Sequence, residues 1–209
     1  MITTYLDTTS SFLYAGIVKD NKLLVEVKEE LGKDLSVYTL DRVSKMIEKI
    51  DLVPQDINKI IVVNGPGSFT GIRIGVTIAK TYAWALATKI TTISSLDAMA
   101  VSSNFNGYKI PVIDARRDCS YYGIYDKDNN VVIENKYSSN EEILKEVSNL
   151  DGDYTFISNE TNISQELEAY SPDILKIVET YKSKEDINPH GVNPIYLKST
   201  EAEEKANGD

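Results

Sequence analysis

The chain has 209 residues, with 22 Lys and Arg against 32 Asp and Glu, which gives a formal net charge of −10. Residues 1–107 carry 11 basic and 11 acidic side chains, so the acidic surplus lies entirely in residues 108–209. This balance disfavours a protein that grips nucleic acid by itself, because phosphate contacts need clustered Lys and Arg.

The first half of the chain predicts a strand that ends in a carboxylate, a hairpin, a helix, a buried strand and a long helix. The Asp20-Asn21 pair suits a hairpin turn because Asn and Asp tolerate positive φ. An apolar stripe at spacings of 3, 4 and 3 predicts the first helix. The elements are expected at about Ile2–Asp7, Phe12–Val27, Val37–Ile50, Ile60–Val63 and Ile72–Ala87.

The second half repeats this order of elements at an offset of about 107 residues, without detectable identity between the halves. A helical segment near Ser164–Tyr170 closes the repeat. Mixed sheets with helices on their faces, occurring twice, predict an α/β protein of the duplicated actin-like, ribonuclease-H-like class with two lobes. Ser, Asn and Gly cluster between the halves, so we expect an N-terminal lobe at 1–104 and an acidic C-terminal lobe at 105–209.

Two carboxylates end the first predicted strand of each half, Asp7 and Asp114. In folds of this class such a carboxylate commonly faces a cleft, which makes them candidates for a nucleotide-proximal position together with Thr8, Thr9 and Arg116. The alternative is that each Asp stabilises a turn or caps a helix, as Asp often does by local hydrogen bonding.

A glycine-rich loop, Gly65-Pro-Gly-Ser-Phe-Thr-Gly71, stands between the buried strand and the long helix. That context is typical of a phosphate-binding turn, so Gly65, Gly67, Ser68 and Thr70 are further nucleotide-proximal candidates. The loop nevertheless lacks the Lys-Ser/Thr end of a Walker A loop, and Thr70 stands where a dinucleotide fingerprint needs its third glycine. Ser68 or Thr70 can instead cap the helix.

Small residues recur at every fourth position from the end of this loop and lie on one face of the long helix. Such a stripe allows close backbone approach, either to the protein's own sheet or to a helix of another chain. Arg73 in the first turn opposes the helix dipole, which favours a carboxylate or phosphate partner over a surface ion pair. The predicted partner or dimer interface consists of Gly71, Arg73, Ile74, Gly75, Ile78, Ala79, Tyr82 and Ala83, with Leu40, Val43 and Ile47 on the first helix.

The segment Gly65–Gly75 resembles the signature of the TsaB (YeaZ) family of bacterial tRNA threonylcarbamoyladenosine biosynthesis proteins. The resemblance extends over most of the chain, through Leu6–Thr9, Ile113–Arg117 and Pro194–Lys198, where Lys198 replaces the family's Arg. It implies a two-lobed actin-like fold and a subunit that is not itself catalytic. TsaB is similar to TsaD, the subunit that transfers threonylcarbamoyl to N6 of an adenosine beside the anticodon.

The resemblance also implies partners: a TsaD-like transferase subunit, a TsaE-like ATPase, and a second copy when the chain is alone. Contact with tRNA is then expected only through the complex, and ATP or ADP only at interfaces with partners. The segment Asp34–Val37 departs from the His-Ser pair that many members carry at the start of the first helix.

We expect no metal and no cofactor of the chain's own, because a metal site needs several ligands in fixed geometry and the single His, His190, is isolated. Cys119, the only Cys, excludes an intrachain disulfide and is expected to be an inert buried thiol. With no apparent signal peptide or membrane span, the cytoplasm is the expected compartment. A stand-alone actin-like ATPase or kinase is the alternative function; a glycoprotease ranks last because no nucleophile constellation is present.

Overall fold

A computed structural model describes residues 1–159, 161–163 and 165–198. The chain divides into two compact units. The first contains Met1–Ser102 and Ser171–Pro194, and the second contains Ser103–Tyr170 together with the described residues from Ile195. Among all the residues that the structure describes, no helix is both long enough and apolar enough to cross a membrane.

The first unit is built on a mixed five-stranded sheet. Its strands are β1 (Ile2–Asp7), β2 (Phe12–Lys19), β3 (Lys22–Glu30), β4 (Lys59–Val63) and β5 (Lys89–Ile93). They lie in the order β3-β2-β1-β4-β5, with antiparallel pairing through the hairpins and parallel pairing of β1, β4 and β5. The predicted turn at Asp20 and Asn21 is confirmed, since both residues have positive φ.

Helices cover both faces of this sheet. They are α1 (Leu35–Glu48), α2 (Phe69–Leu86), α3 (Ser95–Ser102) and α5 (Ile174–Tyr181). Alternate residues of β2 point to opposite faces. Ala15 and Ile17 belong to the core formed with α1 and α2, whereas Gly16 faces Ile174 of α5 so closely that a Cβ there would displace the Ile174 side chain. The result is a three-layer unit with the sheet in the middle.

The second unit repeats the same sheet. Its strands are β6 (Tyr108–Asp114), β7 (Cys119–Tyr125), β8 (Val131–Ser139), β9 (Tyr154–Ile157) and β10 (Leu167–Glu168), and its described helix is α4 (Asn140–Val147). The order β10-β9-β6-β7-β8 places each strand where its counterpart lies in the first sheet. Side chains of β6, β7, β9 and α4 form the core of this unit. The repeated order of elements predicted from the sequence is therefore present as a duplicated topology.

Two helices have different ends from those predicted, and a third predicted helix is not observed as a helix. The first begins at Leu35 and ends at Glu48, and the long helix begins at Phe69, three residues earlier than predicted, because Ser68 caps it. The segment predicted as a helix near Ser164–Tyr170 contains the short strand β10 among its described residues. Its Leu167 and Glu168 pair with β9 instead of forming a helical turn.

The first unit ends at Ser102 and the second begins at Ser103, close to the predicted boundary. Residues 171–194 nevertheless belong to the first unit, whereas the sequence placed them in the C-terminal lobe. These residues pack with the first unit, because α5 covers its sheet and the following segment is fastened to it. Lys59 of β4 is buried, and its Nζ donates to the carbonyl oxygens of Lys182 (3.1 Å) and Lys184 (2.6 Å) and pairs with Asp186 at 2.9 Å. The amide of Ile187 then donates to the Ile90 carbonyl of β5 at 2.8 Å.

We expect Lys59→Met to destabilise the protein by about 3–5 kcal/mol, because the carbonyls and the Asp186 carboxylate lose their buried partner. Lys89→Met is the matched control: Lys89 pairs with the same carboxylate at 3.2 Å but is 67% exposed, so its loss should cost less than about 1 kcal/mol. Urea unfolding measures both, and hydrogen exchange at the Ile187 amide reports the fastening directly. If both variants lose the same free energy of unfolding, Lys59 does not hold residues 182–187 on the first unit.

Candidate functional site: the glycine loop and the outer surface of the first two helices

The loop between β4 and α2 is held by backbone groups of α3 and β5. The Asn64 amide donates to the Ile93 carbonyl at 3.1 Å, and the Ser95 amide donates to the Gly65 carbonyl at 2.9 Å. The Ser95 hydroxyl donates to the carbonyl of Pro66 at 2.6 Å. Gly65 and Gly67 have backbone φ angles of 114° and 152°, which residues other than glycine rarely adopt. The loop therefore has glycine where the backbone requires it.

The glycines also allow α2 to approach the turn that follows β1. A Cβ at Gly67 would collide with the Thr9 carbonyl oxygen, and one at Gly71 with the carbonyl oxygen of Thr8. A Cβ at Gly75 would lie 2.5 Å from Thr8 Oγ1. The Thr8 hydroxyl in turn donates to the Gly71 carbonyl at 2.7 Å. Two of these glycines thus stand in α2 because its backbone touches the turn.

Asp7 organises this turn from within. Its Oδ1 accepts from the Thr9 amide at 2.8 Å and the Thr9 hydroxyl at 2.7 Å, and its Oδ2 accepts from the Tyr5 hydroxyl at 3.3 Å. Burial raises the pKa of the Asp7 carboxyl above its ordinary value, although these hydrogen bonds oppose the shift. The carboxylate therefore serves the turn, which is the alternative that the sequence left open.

The other nucleotide-proximal candidates occupy different environments. Ser68 caps α2 by accepting from the Gly71 amide at 3.2 Å, and Thr70 is exposed in the first helical turn. Asp114 ends β6 in the second unit and accepts from the Arg116 amide at 3.3 Å. Arg116 opens a run of three residues with positive φ that continues through Arg117 and Asp118. That run shapes the β6–β7 turn.

Part of the predicted interface is buried against the protein's own sheet in this structure. The small residues Gly71, Gly75, Ala79 and Ala83 line the inner face of α2, and Val43 and Ile47 belong to the same core. The stripe of small residues thus serves close packing inside the first unit. These six residues are therefore not exposed to a partner in the folded unit.

The remaining predicted interface residues reach the surface. Leu40 of α1 is 59% exposed and Arg73 of α2 is exposed, whereas Ile74, Ile78 and Tyr82 are half-buried beside them. The Tyr82 hydroxyl donates to the Pro54 carbonyl at 2.6 Å, on the side of α2 that also carries Ile74 and Ile78.

Sequence reasoning missed several exposed apolar side chains on the same two helices. The guanidinium of Arg73 lies 3.7 Å from the centre of the Phe69 ring, and that ring is half exposed. Trp84 near the end of α2 is 67% exposed. On α1 the missed side chains are Val37 and Tyr38. The signal was available for Val37, which precedes Leu40 by three residues. We name the outer helix surface as Val37, Tyr38, Leu40, Phe69, Arg73, Ile74, Ile78 and Trp84.

The residues expected to be inert have ordinary surroundings. His190 is exposed in a short turn, where its carbonyl accepts from Lys80 Nζ at 3.4 Å. Cys119 is half-buried and forms no disulfide, so the expectation of a fully buried thiol is corrected. Among the residues that the structure describes, no three His, Cys, Asp or Glu side chains are grouped so that they could hold a metal ion.

Comparison with known proteins gives consistent matches. The family model described as TsaD, tRNA N6-adenosine threonylcarbamoyltransferase, matches residues 21–204. The tRNA threonylcarbamoyladenosine biosynthesis protein TsaB of Bacillus subtilis is 31% identical, covering 96% of this chain and 95% of that protein. TsaB of Buchnera aphidicola from Acyrthosiphon pisum is 25% identical over 78% of this chain and 74% of its own length.

The solved structure of YeaZ from Pseudomonas aeruginosa superposes with a TM-score of 0.80 at 18% identity, over 94% of this chain and 99% of that one. A second Pseudomonas aeruginosa structure, of a protein with similarity to peptidase YEAZ, gives a TM-score of 0.81. These likenesses establish the fold, and the duplicated actin-like class predicted from the sequence is confirmed.

The contact between Gly75 and Thr8 can be tested by a double-mutant cycle. We expect Gly75→Ala to cost about 1–3 kcal/mol of unfolding free energy, because the new methyl group meets Thr8 Oγ1. In a Thr8→Ala background the same change should cost nothing or gain about 0.5–1 kcal/mol of helix propensity. Urea unfolding of the four proteins measures the coupling. An equal cost of Gly75→Ala in both backgrounds would rule out this contact as the reason for the glycine.

The burial of Asp7 predicts a pH dependence of stability. Because the folded-state pKa is raised, the wild-type carboxyl contributes its full share below the ordinary value of 3.8 and loses it as pH rises through the raised value. Asp7→Asn should therefore gain stability relative to wild type between pH 4 and pH 8. Asp20→Asn is the control, because hydrogen bonding to the N-terminal amine lowers the Asp20 pKa. The contribution of Asp20 is therefore complete above 3.8, and its variant should run parallel to wild type between pH 4 and pH 7. Chemical unfolding across this pH range decides, and parallel curves for Asp7→Asn and wild type would contradict the prediction.

Proposed function

Because the chain belongs to the TsaB family, we propose that it acts in tRNA threonylcarbamoyladenosine biosynthesis as an accessory subunit that binds and supports a TsaD-like transferase. The observation that carries this proposal is the match to a TsaB protein along nearly the whole of both chains. The accessory role follows from what the residues offer. Asp7 and the glycine loop, where a phosphate would be bound, are engaged in packing between β1 and α2.

We place the docking surface for the transferase on the outer helix surface of α1 and α2. An interface needs apolar side chains that are exposed in the free protein, with aromatic and Arg residues near its centre. Trp84, Phe69 and Leu40 satisfy the first condition, and the Arg73 guanidinium stacked on Phe69 satisfies the second. The buried glycine stripe supports this surface from beneath by fixing how closely α2 lies on the sheet.

The same surface is proposed for self-association when the transferase is absent, so that a homodimer and the transferase complex compete. A TsaE-like ATPase joins the complex in this proposal, and any ATP or ADP lies at contacts with these partners. Contact with tRNA comes through the transferase, since the chain as a whole carries a net charge of −10, which disfavours binding to phosphates. The cytoplasm, where tRNA is modified, is the proposed compartment.

The alternative function is a stand-alone actin-like ATPase or kinase, and the surroundings of Asp7 disfavour it. This carboxylate is buried; its Oδ1 accepts two hydrogen bonds from Thr9, and its Oδ2 accepts one from Tyr5. Calorimetry with ATP and Mg²⁺ on the isolated chain tests the alternative, since tight binding with turnover would favour it.

The docking surface is tested with Leu40→Glu, which places a carboxylate at an exposed apolar position. We expect the affinity for the TsaD-like protein of the same genome to fall at least about tenfold, as at an interface hot spot, without a change in thermal unfolding. Val131→Glu is the matched control, because Val131 is an exposed apolar residue of β8 in the second unit. Affinity is measured by calorimetry, and nucleoside mass spectrometry reports threonylcarbamoyladenosine in tRNA from cells carrying each variant.

Two results would count against the proposal. If Leu40→Glu and Val131→Glu bind the transferase equally well, the docking surface lies elsewhere. If cells depleted of the protein keep normal levels of threonylcarbamoyladenosine, the proposed role in the pathway is wrong.

A further inference from the structure

The second unit has a groove that no part of the proposed function uses. It is a cavity of about 540 Å³ at the β9–β10 edge of the second sheet. That volume lies within the range of ligand-binding clefts. None of its lining residues is basic. They are Phe105, Tyr154, Thr155, Phe156, Gln165, Glu166, Leu167 and Glu168.

The floor of the groove is built from the segment that links the two units along the chain. The Ser103 hydroxyl is buried, accepts from the Phe105 amide at 3.1 Å and donates to the Glu168 carboxylate at 2.7 Å. Gly107 has no Cβ that could collide with the Phe105 ring and the Asp153 carbonyl oxygen. The Ser103 hydroxyl therefore holds the Phe105 backbone, and the glycine at 107 leaves room for the Phe105 ring.

One wall of the groove is an incompletely paired strand. The ladder between β9 and β10 joins only Leu167 to Phe156 and Glu168 to Ile157. Within the described residues, Tyr154 and Thr155 have a strand neighbour on the β6 side alone. An incompletely paired strand edge accepts an added strand through main-chain hydrogen bonds.

The corresponding end of the first sheet is closed by β5, the counterpart of β10. There the outer edge of β5 is covered by the segment that carries Ile187, whose amide donates to the Ile90 carbonyl. The Thr91 hydroxyl donates to the Glu185 carbonyl at 2.8 Å, and Lys184 Nζ donates to the Thr92 carbonyl at 3.0 Å. An extended segment thus covers this edge in one unit, whereas the described residues supply no such segment in the other.

The carboxylates and aromatic rings of the groove indicate the kind of segment that fits it. Glu166 is exposed, and Glu168 still has acceptor capacity beside its bond to Ser103, because a carboxylate has about four lone-pair positions. Tyr154 is half exposed and packs edge-on to Phe156, with ring centres 5.9 Å apart. Carboxylates next to aromatic faces favour Arg and Lys through charge pairing and cation–π contact.

We propose that this groove binds an extended, Arg- or Lys-rich segment of a partner protein, which lies beside Tyr154 and Thr155 of β9 and places its cationic side chains against Glu166 and the Phe105 and Tyr154 rings. The proposed docking surface on α1 and α2 belongs to the first unit and the groove to the second, and each proposal has its own test. The acidic surplus of residues 108–209 acquires a specific use in this proposal, because it attracts a basic segment toward the groove.

The probe is the acetylated and amidated pentapeptide Arg-Val-Arg-Val-Arg, in which alternate side chains point the same way when it is extended. It is titrated to 1 mM into the full isotope-labelled chain while amide chemical shifts are recorded. We expect the largest shifts at Phe105, Tyr154, Thr155 and Leu167, and none with the peptide Glu-Val-Glu-Val-Glu. Absence of shifts at 1 mM, or shifts spread evenly over acidic residues of the second unit, would overturn the proposal.

Charge reversal supplies the second measurement. Glu166→Lys should weaken binding of the basic peptide about fivefold or more. Glu134→Lys is its matched control, since it makes the same change of net charge at an exposed residue of β8, on the opposite edge of the same sheet. Equal weakening by both variants would mean that only the overall charge attracts the peptide, and the groove would not be its site.

Discussion

The contact between the turn after β1 and the start of α2 is the constraint on which the rest of the first unit depends. Thr8 donates its hydroxyl to the Gly71 carbonyl, and its own carbonyl lies where any side chain at position 71 would be. Asp7 holds the turn in place from below through Thr9. Because α2 lies this close to the sheet, Gly71, Gly75, Ala79 and Ala83 face inward. Trp84 and Phe69 lie on the outside.

This packing gives the family signature a structural explanation. A glycine-rich loop between a strand and a helix is typical of phosphate binding, yet here the loop binds the protein's own turn and the start of α3 through Ser95. Asp7 and the loop glycines are thereby engaged in internal packing. On the first two helices, the exposed apolar side chains lie on the outer surface, which agrees with the proposed accessory role.

Duplication adds a second theme, since two sheets of one topology have edges that are treated differently. The edge strand β5 is covered by residues fastened through the buried Lys59 ammonium. The corresponding strand β10 has only two residues and leaves Tyr154 and Thr155 beside a groove. Comparing the halves thus separates what the fold requires from what one unit has added. The added feature is an acidic, aromatic groove in the half that carries the charge surplus.

The sequence by itself determined the order of elements, the duplication, the hairpin at Asp20-Asn21 and the family, because periodicity, turn residues and motifs are local properties. It could not decide which way the stripe from Gly71 to Ala83 faces, since helical spacing defines a face without naming its neighbour. Tertiary structure decided this, by setting Thr8 against Gly71 and Gly75. It likewise returned residues 171–194 to the first unit, because the partners of Lys59 are more than 120 positions away in the chain and no local pattern records them.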